Sequence, residues 1–238
     1  MRTTKLIAAW LVATSTSVVS AQSMKPETLQ NVAQLQASGT VEVQQDVLSI
    51  AMNTTVSGVD AAVVQTQLKQ ALDTALTQAK QAQQGLAPGL LDVRTGNFSL
   101  YPRYGKDGKI NGWQGSTELV LEGKDFARIT GTAGKIQTLT LGSVGFALSR
   151  EQRAKVEGEA QTMAIERFKA KALEVSRGFG FAGYTLREVA INANDQGSSP
   201  RPRMLAMAKS DMAAESAVPV EAGKSTVLVT VSGSVQMK

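Results

Sequence analysis

One apolar stripe constrains the fold of this chain more than any other feature. Between Val156 and Phe179, small and apolar side chains recur every three or four residues, which is the spacing of one helix face. Ser149 and Gln152 lie three residues apart just before the stripe and predict the reciprocal capping bonds of a helix start, and glycines begin at Gly178. The sequence therefore predicts a long helix whose buried face needs another layer to cover it. The stripe consists of Val156, Ala160, Ala164, Phe168, Ala172, Val175 and Phe179.

Segments of alternating polarity supply that second layer. Apolar and polar residues alternate with period two in four segments, which predicts strands at 47–56, 137–148, 184–192 and 226–237. Asp60 is a favourable N-cap for a further helix, and a short helix is predicted over 125–133. A hairpin is predicted over 91–122, because Asp107 and Gly108 favour a tight turn between two strand-like runs. Gly96 interrupts the first of these runs and indicates a bulge.

Together these segments predict an α+β protein with mostly antiparallel sheet and helices packed on one face. The predicted order is β-α-β-β, a short helix, and then β-α-β-β again. A single α+β domain and two interleaved βαββ units are both compatible with this order. We place the domain at 38–238 and expect the Gln-rich residues 22–37 to form a flexible N-terminal segment.

The first 21 residues have the three parts of an export signal. Arg2 and Lys5 give a charged start, residues 6–12 form an apolar stretch, and Val19-Ser20-Ala21 is a small-residue cleavage site. The apolar stretch is shorter than the roughly 20 residues that a bilayer span needs. We therefore expect cleavage near Ala21, no transmembrane segment in the mature chain, and a periplasmic location.

The composition excludes several classes of chemistry. The 238 residues include no cysteine and no histidine, which rules out disulfides, thiolate nucleophiles and histidine bases. Glycines at 178–183 fit a nucleotide-binding spacing, but they follow a predicted helix instead of opening one, so we interpret them as a helix end. Removal of the leader lowers the formal net charge from +5 to +3, and no basic stripe for nucleic acid is present. We predict no enzyme activity, no catalytic residues, no cofactor, no metal and no nucleic-acid partner.

Residues 192–224 form a long polar loop in the predicted order of elements. Loops of this length are uncommon in compact domains and are usually functional or disordered. Its arginines and methionines could form an adaptable partner-binding surface or serve as oxidant targets, while a tolerated insertion is the alternative. The candidate interaction residues are Arg201, Arg203, Met204, Met207 and Met212.

The order and spacing of several segments resemble the SIMPL-domain family. These are bacterial exported proteins often described as oxidative-stress defence or periplasmic immunogenic proteins. The resemblance implies an exported α+β protein that self-associates and has no established catalytic residues. Within it, Pro102, Tyr104, Gly112 and Trp113 look like residues that shape the hairpin, with Trp113 standing where tyrosine is commoner. The segments that carry the resemblance are 39–43, 98–104, 110–116, 144–149 and 226–237.

From this we expect an exported, non-enzymatic envelope protein that forms homo-oligomers and supports tolerance of oxidative or envelope stress. The last strand, 226–237, is the candidate exposed edge for self-association. The alternative is a module that binds cell-wall or outer-membrane components, or an envelope protein, through the 192–224 loop. A hydrolase using Ser, Tyr or Lys has no supporting motif.

Overall fold

The computed structural model describes residues 30–194 and 218–238, and the predicted leader and the centre of the 192–224 loop lie outside these ranges. The order of the described elements agrees with the predicted α+β pattern and adds one strand at the N-terminal end. Among the described helices, none combines the length and the apolar character needed to cross a bilayer. The strands are β1 (Val32–Gln44), β2 (Val47–Gly58), β3 (Asp92–Tyr104), β4 (Ile110–Gly123), β5 (Thr140–Ala147), β6 (Tyr184–Asn194) and β7 (Lys224–Met237), and the helices are α1 (Ala61–Gln83), α2 (Phe126–Lys135) and α3 (Arg150–Gly178).

The strands form two antiparallel sheets, each with its own hydrophobic core. One sheet has four strands in the order β3-β4-β2-β5, and the other has three in the order β1-β7-β6. Helices α1 and α2 pack on the four-stranded sheet, whereas α3 packs on the three-stranded sheet. The helices therefore cover the sheets as the amphipathic patterns predict.

The four-stranded sheet confirms the predicted alternation in β2. Leu48, Ile50 and Met52 are buried, and the intervening residues are less so. The Asp60 carboxylate accepts a hydrogen bond from the Ala62 amide at 2.7 Å, as expected of an N-cap. Register between β3 and β4 shifts around Gly96, which confirms the predicted bulge.

The three-stranded sheet confirms most of the α3 stripe. Its residues from Val156 to Ala172 are buried, but Ser176 completes the buried face instead of Val175. Phe179 is 72% exposed, because it is the C-cap residue and lies beyond the last helical turn. The prediction was therefore wrong for the last two positions of the stripe.

The prediction of a flexible segment at 22–37 was wrong from residue 32 onward. Residues 32–37 belong to β1 and pair with residues 231–236 of β7. Ala33, Leu35 and Ala37 pack against the core of the three-stranded sheet, while Gln34 and Gln36 are exposed. Two of the four apolar residues that β1 packs against this core are alanines, so the Gln-rich segment shows only a weak alternation of polarity. Residues 22–29 lie outside the described ranges.

Strand β1 also explains how the two βαββ units are interleaved. In the unit β2-α1-β3-β4, the first strand pairs with the last. In the unit β5-α3-β6-β7, the equivalent place beside β7 is taken by β1, and β5 pairs with β2 in the other sheet. Each sheet therefore contains a strand from the other half of the chain.

Candidate functional site

Strand β6 is an edge strand with apolar side chains that its own helix leaves uncovered. Leu186, Val189 and Ile191 are 53%, 44% and 46% exposed. Leu186 and Ile191 lie opposite Val235 and Val231, two buried residues of β7, so they share the face of the sheet that carries α3. Helix α3 packs mainly on β1 and β7 and contacts β6 only slightly. We call these three exposed side chains the β6 patch.

The two edges of the three-stranded sheet differ in how accessible they are. At β1, Arg167 of α3 donates to the carbonyl of Ser38 at 2.7 Å, and Lys171 donates to the carbonyl of Gln36 at 3.2 Å. Long cationic side chains thus occupy backbone acceptors that another strand would need. The β1 edge is therefore blocked from within the chain.

The edges of the four-stranded sheet carry features that oppose strand pairing. β3 contains Pro102, which has no backbone donor, and its pairing shifts register at two places. β5 has eight residues, includes Gly142 and Gly145, and pairs with a register shift. Short, irregular edges of this kind protect sheets from adding strands.

Strand β6 has weaker protection than the other described edges. Its pairing with β7 shifts register at Arg187, but it is regular from Glu188 to Asn194. Glu188 is the single charged residue in that regular part. Among the edges in the described ranges, β6 is thus the one best suited to pair with another strand.

The prediction that the last strand is an exposed edge was wrong. β7 is the central strand and pairs with β1 on one side and β6 on the other. Its alternating valines include Val229, Val231 and Val235, which are buried in the core. The error follows from β1, because the strand that was not predicted takes the second side of β7.

The four residues predicted to shape the hairpin meet at its distal end. Pro102 lies opposite Trp113, Gly112 opposite Arg103, and Tyr104 is in the last pair before the turn. A Cβ atom on Gly112 would lie 2.9 Å from the carbonyl oxygen of Gly58, so the close approach of β2 requires glycine there. The candidate loop residues Arg201, Arg203, Met204, Met207 and Met212 lie outside the described residues.

A polar cluster fastens the two sheets where the chain passes between them. The Asp46 carboxylate accepts hydrogen bonds from the Ser149 amide and from Ser149 Oγ, both at 2.6 Å. Lys124 Nζ lies 3.7 Å from Asp46 Oδ2 and 3.0 Å from Glu151 Oε2. Ser149 Oγ caps α3 by accepting from the Gln152 amide at 3.2 Å, but the Ser149 amide bonds Asp46 in place of the predicted return bond from Gln152. The sequence does not predict this cluster, because Asp46, Lys124 and Ser149 lie in three separate connections between elements.

These contacts shift the pKa of two groups in the cluster. Partial burial disfavours the charged form of Asp46, but the hydrogen bonds from Ser149 and the charge of Lys124 outweigh it and place the Asp46 pKa below 3.8. The hydrogen bond to Glu151 is the main reason that the pKa of Lys124 is raised. Both groups are therefore charged at neutral pH, and their bonds join the two sheets.

The described residues offer no arrangement of ligands for a metal ion. Within 30–194 and 218–238, no three Asp or Glu side chains come together in a group that could hold one.

Comparison with known proteins identifies the family to which the sequence belongs. The family model for SIMPL, described as a protein of unknown function (DUF541), matches residues 33–235. No curated protein matches the chain. Among solved structures, the chain is similar to "The crystal structure of AtUAH in complex with glyoxylate" with 15% identity and a TM-score of 0.25. That similarity covers 56% of this chain and 34% of the other, so this chain spans about a third of that protein.

Proposed function

This chain belongs to the SIMPL family, whose function is unknown, and on that premise we propose that it is an exported, non-enzymatic envelope protein that acts by self-association. A second copy binds at β6. Self-association supports tolerance of oxidative or envelope stress, which is the role that the family resemblance implies.

The observation that carries this proposal is the open edge of β6 beside its uncovered apolar patch. A second β6, running antiparallel, would pair with the backbone groups of the outer edge and continue the three-stranded sheet into one of six strands. A two-fold axis perpendicular to that sheet puts both β6 patches on the same face, between the two α3 helices. Pairing and apolar burial therefore favour the same arrangement.

Charge is also compatible with this arrangement. Residues 189–193 of β6 carry no charge, and Glu188 and Arg187 lie to one side of them. In an antiparallel pair centred on residues 189–193, the two Glu188 carboxylates lie at opposite ends of the pair. Like charges are thus kept apart, which a parallel pair would not achieve.

The non-enzymatic part of the proposal rests on the chemistry available. The chain lacks cysteine and histidine. The shifted pKa values of Asp46 and Lys124 are explained by bonds that fasten the two sheets. Turnover of a defined substrate by the purified chain, abolished by replacing one polar residue, would contradict this part.

The mass of the native particle tests self-association. Val189 on β6 and Leu141 on β5 are 44% and 43% exposed, and both lie on edge strands. We expect light scattering to give a multimeric mass for the mature chain and for Leu141→Lys, and a monomeric mass for Val189→Lys. Both lysines point from exposed positions, so circular dichroism should report an unchanged fold. A monomeric wild type, or assembly of Val189→Lys equal to that of the wild type, would contradict the proposal.

The alternative function, binding of envelope components through the 192–224 loop, stays a prediction. Val218 and Val220 at the end of this loop pack against the core of the four-stranded sheet. A deletion that tests the loop should therefore end before Val218. Removal of 196–216 with no effect on assembly or on binding to envelope fractions would exclude the alternative.

A further inference from the structure

A second exposed apolar cluster lies at the distal end of the four-stranded sheet. Strand β2 ends at Gly58, which lies opposite Trp113, and the β3–β4 hairpin continues beyond that point. We call residues 101–110 of this hairpin the hairpin tip. Residues 103–110 of the hairpin tip thus extend past the end of β2.

The hairpin tip exposes large apolar and aromatic side chains. Tyr101 and Tyr104 are each 64% exposed, and Ile110 is 52% exposed. Tyr104 and Ile110 lie opposite each other in the last strand pair before the turn. Val59, which follows the end of β2, is 87% exposed. The hairpin tip and its neighbour therefore concentrate apolar surface that no described element covers.

The same tip is basic. Arg103, Lys106 and Lys109 are exposed, and within the described ranges none of them forms an ion pair. The single acidic residue of the tip, Asp107, accepts a hydrogen bond from the Lys109 amide at 3.3 Å inside the turn. The hairpin tip thus carries three cations and one carboxylate along with its exposed tyrosines.

We propose that the hairpin tip binds the surface of a lipid bilayer that carries anionic headgroups. Tyrosine suits this boundary because its ring is apolar and its hydroxyl is polar. Arginine and lysine keep their charges at the phosphates while their stems lie along the apolar surface. A soluble polyanion would use the cations but would leave Tyr104, Ile110 and Val59 in water. The combination of both features therefore favours a membrane surface over a free polyanion.

This inference is independent of self-association, because the hairpin tip and β6 belong to different sheets. If the chain assembles, several tips act together, and the apparent affinity for a membrane rises without any new contact. The monomeric variant Val189→Lys should then bind more weakly but with the same lipid preference. Measuring vesicle binding with this variant therefore distinguishes failure of self-association from failure of membrane binding.

Vesicle sedimentation with the mature chain tests the inference. We expect binding to vesicles that contain phosphatidylglycerol, weaker binding to vesicles of phosphatidylcholine alone, and loss of binding as salt rises. Lys106→Glu with Lys109→Glu should lower binding by about tenfold or more. Tyr104→Ser with Ile110→Ser should also lower it, because the apolar contact is lost.

The matched control makes the same change in net charge on a different surface of the protein. Lys69→Glu with Lys80→Glu alters two exposed lysines of α1 and should leave binding near the wild-type level. Equal loss in this control, equal binding to both kinds of vesicle, or no binding at low salt would overturn the proposal. Capture by soluble dextran sulfate without vesicle binding would overturn it as well, since it would show a polyanion site.

Discussion

At the scale of the residue, Gly39 shows how closely β1 approaches α3. A Cβ atom at this position would overlap the carbonyl oxygen of Ala160 and lie 2.8 Å from the Ala164 amide nitrogen. We expect Gly39→Ala to lower the free energy of unfolding by about 1–3 kcal/mol or more, because backbone atoms cannot yield as side-chain ends do. Urea unfolding followed by circular dichroism measures this.

The control for this prediction is a glycine on the exposed face of α3. Gly158 is exposed in the interior of α3, and a Cβ atom there would meet no other group. Gly158→Ala should therefore leave stability unchanged or raise it by about 0.5–1 kcal/mol. Similar effects of the two substitutions would show that β1 does not contact α3 as described.

At the scale of the element, α3 is held by a few buried side chains. Phe168 is 2% exposed and is the largest residue of the buried stripe, whereas Phe179 at the C-cap is 72% exposed. We expect Phe168→Ala to cost about 3–5 kcal/mol of unfolding free energy. Phe179→Ala should change it by less than about 0.5 kcal/mol. Thermal or urea unfolding of both variants checks this, and a larger cost at Phe179 would contradict the assignment of the helix face.

The elements that sequence predicted are those whose signal is local. The stripe of α3, the cap at Asp60 and the Asp107-Gly108 turn each lie within a few neighbouring residues. Strand β1 was missed because its partner is β7, almost 200 residues away, as the hydrogen bond between Ser38 and Thr230 shows. Its alanines also give a weak alternation.

The candidate site was predicted less well for the same reason. The residues 184–192 have the pattern of a strand, but pattern does not show which strand lies at an edge. That depends on β1 taking the other side of β7. The four hairpin residues lie close together in the register, because a tight turn fixes which positions face each other, while their role in shaping the hairpin stays a prediction.

At the scale of the whole molecule, Asp46 joins the two sheets through Ser149 and Lys124. Folding lowers the pKa of Asp46 from its ordinary value of 3.8. The stabilisation that its carboxylate gives to the folded state is therefore fully present above that ordinary pKa, and it is lost as the pH falls through the lower, folded-state pKa. We expect Asp46→Asn to lower the free energy of unfolding by about 1–2 kcal/mol at about pH 7. The value is modest because the carboxylate is partly exposed and solvent screens its interactions. The difference from the wild type should shrink at about pH 3.

Urea unfolding at both pH values measures this, with Asp73→Asn as the control. Asp73 is an exposed residue of α1, so its replacement removes a charge without breaking the contact between the sheets. A difference for Asp46→Asn that stays constant from neutral to acid pH would show that the carboxylate charge does not hold the sheets together.

The central claim, that two copies meet along β6, is tested most directly by cross-linking at one introduced cysteine. The chain has no cysteine of its own, so Ile191→Cys and Leu141→Cys each give a single reactive thiol on an edge strand. With a short bismaleimide at low protein concentration, we expect covalent dimers of Ile191→Cys and monomers of Leu141→Cys. Monomers at both positions, or equal dimer yields from the two, would contradict it.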